Sequence, residues 1–463
     1  MKPLLTALLI ACLATLGCGG GSNNQLVQSS SGSVFVTGED APLASVVGFN
    51  VTLNSVTLNG QDGSAAPVIS TPTTVDFARL LGLRSPLAFN SVSADTYVSA
   101  TFVLASPVID YVTLAPSPAV STLNGTFPNS QNPYTVTVNF PTNMVVGANG
   151  LAGLRMEMDI RDSLATDGNG NLVISNNTIA VNPVIYVKAT HASDPDGQIT
   201  ELVGGLVSVT GNSFVMQGPY GRQLTIDVNT NTSFNSGWSI NNLAPPAFVA
   251  VQGSFQADGS LMASAVEVIT TAHSFVSGRV LQVSGSGSSE TVTMWVGETG
   301  ADMVSYVDTI QQFEISNVQT YEICFLDGLI ENALFDESSI EVGQRIFIGG
   351  SFVNPTFTPT MISLRRQGLY GMFVPGQVTV NEGNNGSFEL SNNGLVGYAV
   401  GAPVTVNTFN FTGFYNLSGL DQLQTTTTQI PLVAHGLLLK DPTSGNIEFY
   451  AGWVADPPLP AGN

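Results

Sequence analysis

The chain has 463 residues, with 12 Lys+Arg against 33 Asp+Glu and a formal net charge of -21. Hydrophobic residues make up 43% of it, enough for real cores and against wholesale disorder, while charged residues are only 10%, so Asn, Ser, Thr, Gln and Gly must cover the surface. So few cations cannot neutralise a phosphate backbone, which argues against nucleic acid as a partner and against anionic membrane surfaces.

At the N-terminus Lys2 is a charged n-region and Leu4 to Leu16 an apolar h-region of signal-peptide length, too short for a span of roughly 20 apolar residues. The stretch ending at Cys18 resembles a bacterial lipoprotein signal, which implies acylation of Cys18 after cleavage. Thr15 stands where such signals prefer Leu. Leu9-Ile10-Ala11-Cys12 fits that consensus better but leaves an h-region of hardly two turns. An ordinary cleaved signal is the alternative, and both predict export. Residues 19–32, rich in Gly, Ser, Asn and Gln, read as a flexible tether.

From residue 33 to about 190, period-2 alternation dominates: Ser33-Val34-Phe35-Val36-Thr37, Val47 to Leu53, Tyr97 to Leu104, Tyr134 to Phe140. Only Asp76-Phe77-Ala78-Arg79-Leu80-Leu81-Gly82 reads as a helical turn or two. Short β-branched and aromatic strands at this spacing predict a β-sandwich.

A diverged internal repeat follows. Its closing hairpin occurs at Val249 to Ala263, Ile346 to Leu364 and Leu432 to Ala451, with a Gly inside each first strand: Gly253, Gly349 and Gly436. Opening strands begin at Gly205, Gly278 and Gly371, and a Thr-aromatic mark lies between, at Thr232-Ser233-Phe234, Thr320-Tyr321 and Thr408-Phe409. Five or six strands per copy predict three small β-barrel-like modules, at 200–272, 276–367 and 369–456. The fold class expected is therefore all-β: a sandwich at 33–190, then three tandem modules, each with its own unfolding transition unless the interfaces are large.

Two resemblances cover most of the chain after the tether. Residues 33–190, through Val36-Thr37, Asp40-Ala41-Pro42-Leu43, Val75-Asp76-Phe77, the Tyr97 strand and Arg161-Asp162-Ser163-Leu164, resemble an exported bacterial domain of unknown function, the family numbered forty-three eighty-two. Ala94-Asp95-Thr96 departs from its pattern, where a Gly is usual before Tyr97. Residues 203–270, through Gly205-x-Val207, Thr232-x-Phe234, Val249-x-Val251-x-Gly253 and Asp258-Gly259-Ser260-Leu261, resemble a second such family, numbered fifty-six sixty-six. The pairing is similar to exported lipoproteins and implies secretion and tandem β-modules, but no catalytic residues.

The chain carries no Walker loop, HExxH, GxSxG or dinucleotide fingerprint. His191 reads as an exposed turn, and His435 as a structural substitution at a repeat position. Cys324, in an apolar run, reads as a small buried hydrophobe. Asp162, Asp167, Asn169 and Asn171, with Asp159, offer oxygen ligands to a cation such as Ca²⁺. Yet Leu172 and Thr178 stand where a calcium loop needs Gly and Glu, so a hairpin turn is the competing reading. Trp238, Trp295 and Trp453 are candidate sugar platforms if their indole faces are exposed, Trp238 and Trp453 foremost, and core packing is the rival reading.

These readings converge on a non-enzymatic cell-envelope lipoprotein, sorted to the outer membrane, that acts as an interaction scaffold with an envelope protein or a glycan as partner. A carbohydrate-binding protein and a hydrolase are the rivals. No cofactor other than Ca²⁺ is implied.

Overall fold

The computed structural model describes residues 31–80, 83–167, 170–218, 221–285, 290–324, 335–441 and 445–456. Cys18, the tether up to residue 30, Gly82 and Asn169 lie outside the described residues.

The protein is all-β. In the N-terminal part, one sheet runs Ile185–Thr190, Leu151–Asp159, Ser31–Ala41, Ser85–Ser93, its central pair parallel from Ser33↔Leu151 to Ala41↔Asp159. The facing sheet is built on the long antiparallel pair Val46–Gly60 and Asp95–Thr113. Val34, Val36 and Met156 meet Phe49, Val51, Phe102 and Leu104 between the sheets, as the alternation requires. The helical turn is a 3-10 turn at Phe77–Leu80.

Three six-stranded sheets follow with one strand order. In the first, the closing hairpin is Phe248–Phe255 with Leu261–Thr270; in the second, Arg345–Val353 with Thr356–Leu364; in the third, Pro431–Lys440 with Ile447–Ala455. Each opening strand (Ile199–Thr210, Ser274–Ser284, Gln367–Glu382) pairs with the first strand of its hairpin. Parallel pairing at Ile226↔Leu261 closes the first module into a ring of five strands, and pairing at Val406↔Phe449 closes the third. No such pairing closes the second among the described residues.

Two repeat landmarks shift by a residue or more. Register breaks at Gln252/Gly253 and His435/Gly436 recur in the second copy between Gly349 and Gly350, so the repeat glycine there is Gly350, not Gly349. At all three bulges a Cβ would strike the backbone of the facing strand: 2.2 Å from Met262 O at Gly253, 2.2 Å from Thr358 O at Gly350, 1.9 Å from Tyr450 O at Gly436. The third Thr mark is Thr412, not Thr408. Thr232 Oγ1 donates to Ala263 O at 2.7 Å and accepts from Asn229 N–H at 3.0 Å; Thr412 Oγ1 repeats this with Ala451 O and Phe409 N–H, both at 2.8 Å. Thr408 instead ends a strand and donates to Asn384 O.

The modules are not beads on a string. Phe35, on the opposite face of its strand from Val34 and Val36, stacks on Phe255 of the first module at 4.9 Å, so this sheet is buried on both faces. Phe248, Phe275 and Phe347 stack across the first and second modules. Leu437 and Leu439 of the third enter the core of the second. Val47, Trp295 and Val396 join the sandwich, the second and the third.

Candidate functional site

The site is the place where all four parts meet. Eight of the chain's nine arginines act at these joints, in a protein whose surface is nearly devoid of cations. At the centre, Arg365 Nη1 and Nη2 donate to Glu267 at 2.7 and 3.0 Å, and Nη2 also to Glu201 at 2.8 Å. Arg345 Nη1 reaches the other Glu201 oxygen at 2.9 Å. Both carboxylates come from the first module and both arginines from the second, and the side chains of Arg365 and Glu201 are 1% and 0% exposed. Burial pushes the Glu201 carboxyl up, but Arg345 and Arg365 outweigh it and hold its pKa at about 2. Arg366 Nη1 donates to Thr200 O at 3.1 Å, and Gln344 Nε2 ties Leu438 O of the third module at 3.0 Å.

The sandwich contributes its own arginines. Arg79 pairs with Asp76 at 2.8 Å and reaches over to Gly297 O and Asp308 of the second module. Arg84 bonds Glu39 and Pro195 O, and its guanidinium lies 5.4 Å from the Trp453 ring; Arg161 sits 5.2 Å from Tyr370. Arg155 shares Glu39 and stands 3.7 Å from Glu157. Burial, opposed by Arg155 and helped by Glu39 and Asp159, raises Glu157 to about 8, and burial raises Asp159 to about 6. Asp40 beside them is pushed well above the carboxylate range by burial and by Asp159, Glu157 and Asp76.

Next to this network is a cavity of about 190 Å³ lined from all four parts. Val46, Val47 and Leu80 of the sandwich, Val203 of the first module and Val396 of the third supply apolar wall, while Arg279, Trp295, Glu298 and Arg345 of the second supply polar groups. Trp295 is 3% exposed.

Of the residues singled out in the sequence, few come together here. Trp453, a candidate platform only if exposed, falls to the rival core-packing reading: it is 8% exposed, stacked at 5.0 Å on the fully buried His435, its cross-strand partner, and covered by Arg84. Trp238 is half-buried against the first module's core. Among the described residues every Trp and Tyr is buried or half-buried. Asp162 is exposed and pairs with Arg161 at 3.1 Å. The Asp167 carboxylate accepts from Asn171 N–H at 2.9 Å and Asn171 Nδ2 at 3.1 Å, the geometry of a turn. Among the described residues no group of three His, Cys, Asp or Glu side chains is placed to hold a metal ion. His191 is exposed, as read. Cys324 is buried, but its Sγ also donates to Glu267 at 3.3 Å, which a purely hydrophobic role does not include. The arginine network was missed; the adjacent Arg365 and Arg366 at the end of a closing hairpin, in a chain with 12 cations, were its visible trace.

Residues 31–175 match the family model described as Domain of unknown function (DUF4382), and residues 196–267 match Domain of unknown function (DUF5666). No curated protein matches the chain.

Proposed function

We propose that this chain, which joins these two domains of unknown function, is a non-enzymatic, lipid-anchored cell-envelope protein whose sandwich (33–190) and three modules (200–272, 276–367, 369–456) act as one rigid binding scaffold. The observation that carries the reading is the buried Arg365–Glu267 and Arg345–Glu201 network between modules. Breaking such a pair leaves an uncompensated buried charge, so the modules hold a fixed arrangement. Fixed β-modules bearing loops suit recognition of a partner, here another envelope component. The anchor is Cys18, the tether lets the scaffold stand off its membrane, and the outer membrane is the destination. The net charge of -21 supports a partner other than nucleic acid.

Mass spectrometry of the membrane fraction tests the anchor: an N-terminal peptide carrying lipid on Cys18 is expected, and a soluble product cleaved elsewhere refutes it. Turnover of an ester, glycan or peptide by the purified chain, abolished by one substitution in a folded protein, refutes the non-enzymatic reading.

A further inference from the structure

One outer face of the second module carries three side chains in a row. Arg279 stands opposite Trp295 on one neighbouring strand and opposite Arg345 on the other. Directly opposed residues of antiparallel strands project from the same face, so all three converge on the four-part cavity. Arg345 Nη1 donates to Glu201 and to Arg366 O. In Arg279, Nη1 is buried with no hydrogen-bond partner among the described residues, and the same holds for Nε1 of Trp295. Two buried N–H donors without acceptors, side by side at a cavity, are costly unless something accepts from them. Burial and the Arg345 charge, opposed by the nearby Asp40 carboxyl, lower the Arg279 pKa to about 10, which leaves it cationic at neutral pH.

We propose that this cavity binds a small organic monoanion, a carboxylate received by Arg279 Nη1 and Trp295 Nε1 with a compact apolar body against Val47, Val203 and Val396. A planar guanidinium fork matches a carboxylate, and charge assistance strengthens the contact. The volume fits one ring: a cavity of about 150 Å³ accepts benzene, and this one measures about 190 Å³. The charge is limited to one. The other cations on the wall, Arg345 and Arg79, already serve Glu201 and Asp76, and Glu298 on the same wall repels a second negative charge.

This deepens the binding reading and rests on it. The test is calorimetric titration of the purified full chain at pH 7 with benzoate, its neutral isostere benzamide and the cationic benzylamine. Saturable 1:1 binding of benzoate is expected, with benzamide weaker by about tenfold or more and benzylamine silent, as expected for loss of a charge-assisted contact. Arg279→Met weakens benzoate by about tenfold or more and closes the gap to benzamide, and Trp295→Phe, which keeps the ring and removes the N–H, weakens it several-fold. Melting temperatures monitor the fold. Should Arg279→Met not fold, the benzoate-to-benzamide ratio and Trp295→Phe decide. Benzoate no tighter than benzamide, no saturable binding, or folded variants with unchanged affinity overturn the proposal. A folded chain lipidated at Cys18 that ignores benzoate sinks this site alone, whereas benzoate binding by a chain that is not lipidated sinks the anchor alone.

Discussion

Arg365→Met is the substitution that presses hardest on the junction. It keeps the buried aliphatic volume and removes the guanidinium, and with it three charge-assisted hydrogen bonds of 2.7–3.0 Å. Glu201 retains Arg345 at 2.9 Å; among the described residues Glu267 retains only the Cys324 thiol at 3.3 Å, with a side chain 6% exposed. The variant therefore buries a carboxylate with almost no compensation, and breaking a buried pair in this way costs about 3–5 kcal/mol. Pairing it with Glu267→Gln removes the stranded charge, and apolar or neutral replacement of both partners is close to neutral, so a coupling energy of about 2–4 kcal/mol is expected from the cycle. Urea unfolding followed by both circular dichroism and Trp fluorescence reads it, and the two probes should diverge in Arg365→Met as the first and second modules uncouple. A loss below about 0.5 kcal/mol, the size of an ordinary surface substitution, or additive single effects would refute the reasoning.

Gly436→Ala, whose Cβ would fall 1.9 Å from Tyr450 O, should lose about 1–3 kcal/mol by calorimetry, as overpacking does, while Gly205→Ala, with nothing within 4 Å of its Cβ, should be near neutral; equal effects would contradict the bulge argument. Glu157 has a raised pKa of about 8, so the fold holds a proton that the unfolded chain releases near the ordinary glutamate value of 4.5; its contribution is full below that value and is lost as pH rises towards 8. Between pH 5 and 9, where Glu201 is ionised in both states, Glu157→Gln should gain in melting temperature relative to the parent as pH rises, and a constant difference would rule this out. Trp453→Ala should destabilise by about 3–5 kcal/mol, as loss of a core aromatic does, and a folded variant of unchanged stability would return Trp453 to the surface.

What was legible in the sequence was local. Alternation in Tyr97 to Leu104 and the three Gly-bearing hairpins reflect a side-chain period of two and a backbone too close for a Cβ, and both leave marks within about fifteen residues of chain. The Thr mark was misplaced in the third copy because Thr408-Phe409 satisfies the same short pattern as the Thr412-x-Phe414 element, and only the hydrogen bond to Ala451 O separates them. The sequence leaves Trp453 open between platform and core because nothing near it in sequence announces Arg84 or the stacking of the His435 ring. The junction was invisible for the same reason: Arg365 meets Glu201 across 164 residues and Glu267 across 98, a pairing that no periodicity encodes. Tandem repeats suggested independent beads, and it is the aromatic stacking and buried charges between modules that make them one body.

Small-angle X-ray scattering on the chain from Ser31 onward tests that integration most directly. One body of this length should give a radius of gyration of about 22 Å, from the scaling of compact domains, with a single-peaked distance distribution that Arg365→Met broadens. A value well above that, with a long tail in the distance distribution, would mean four independently moving modules and would contradict the rigid scaffold.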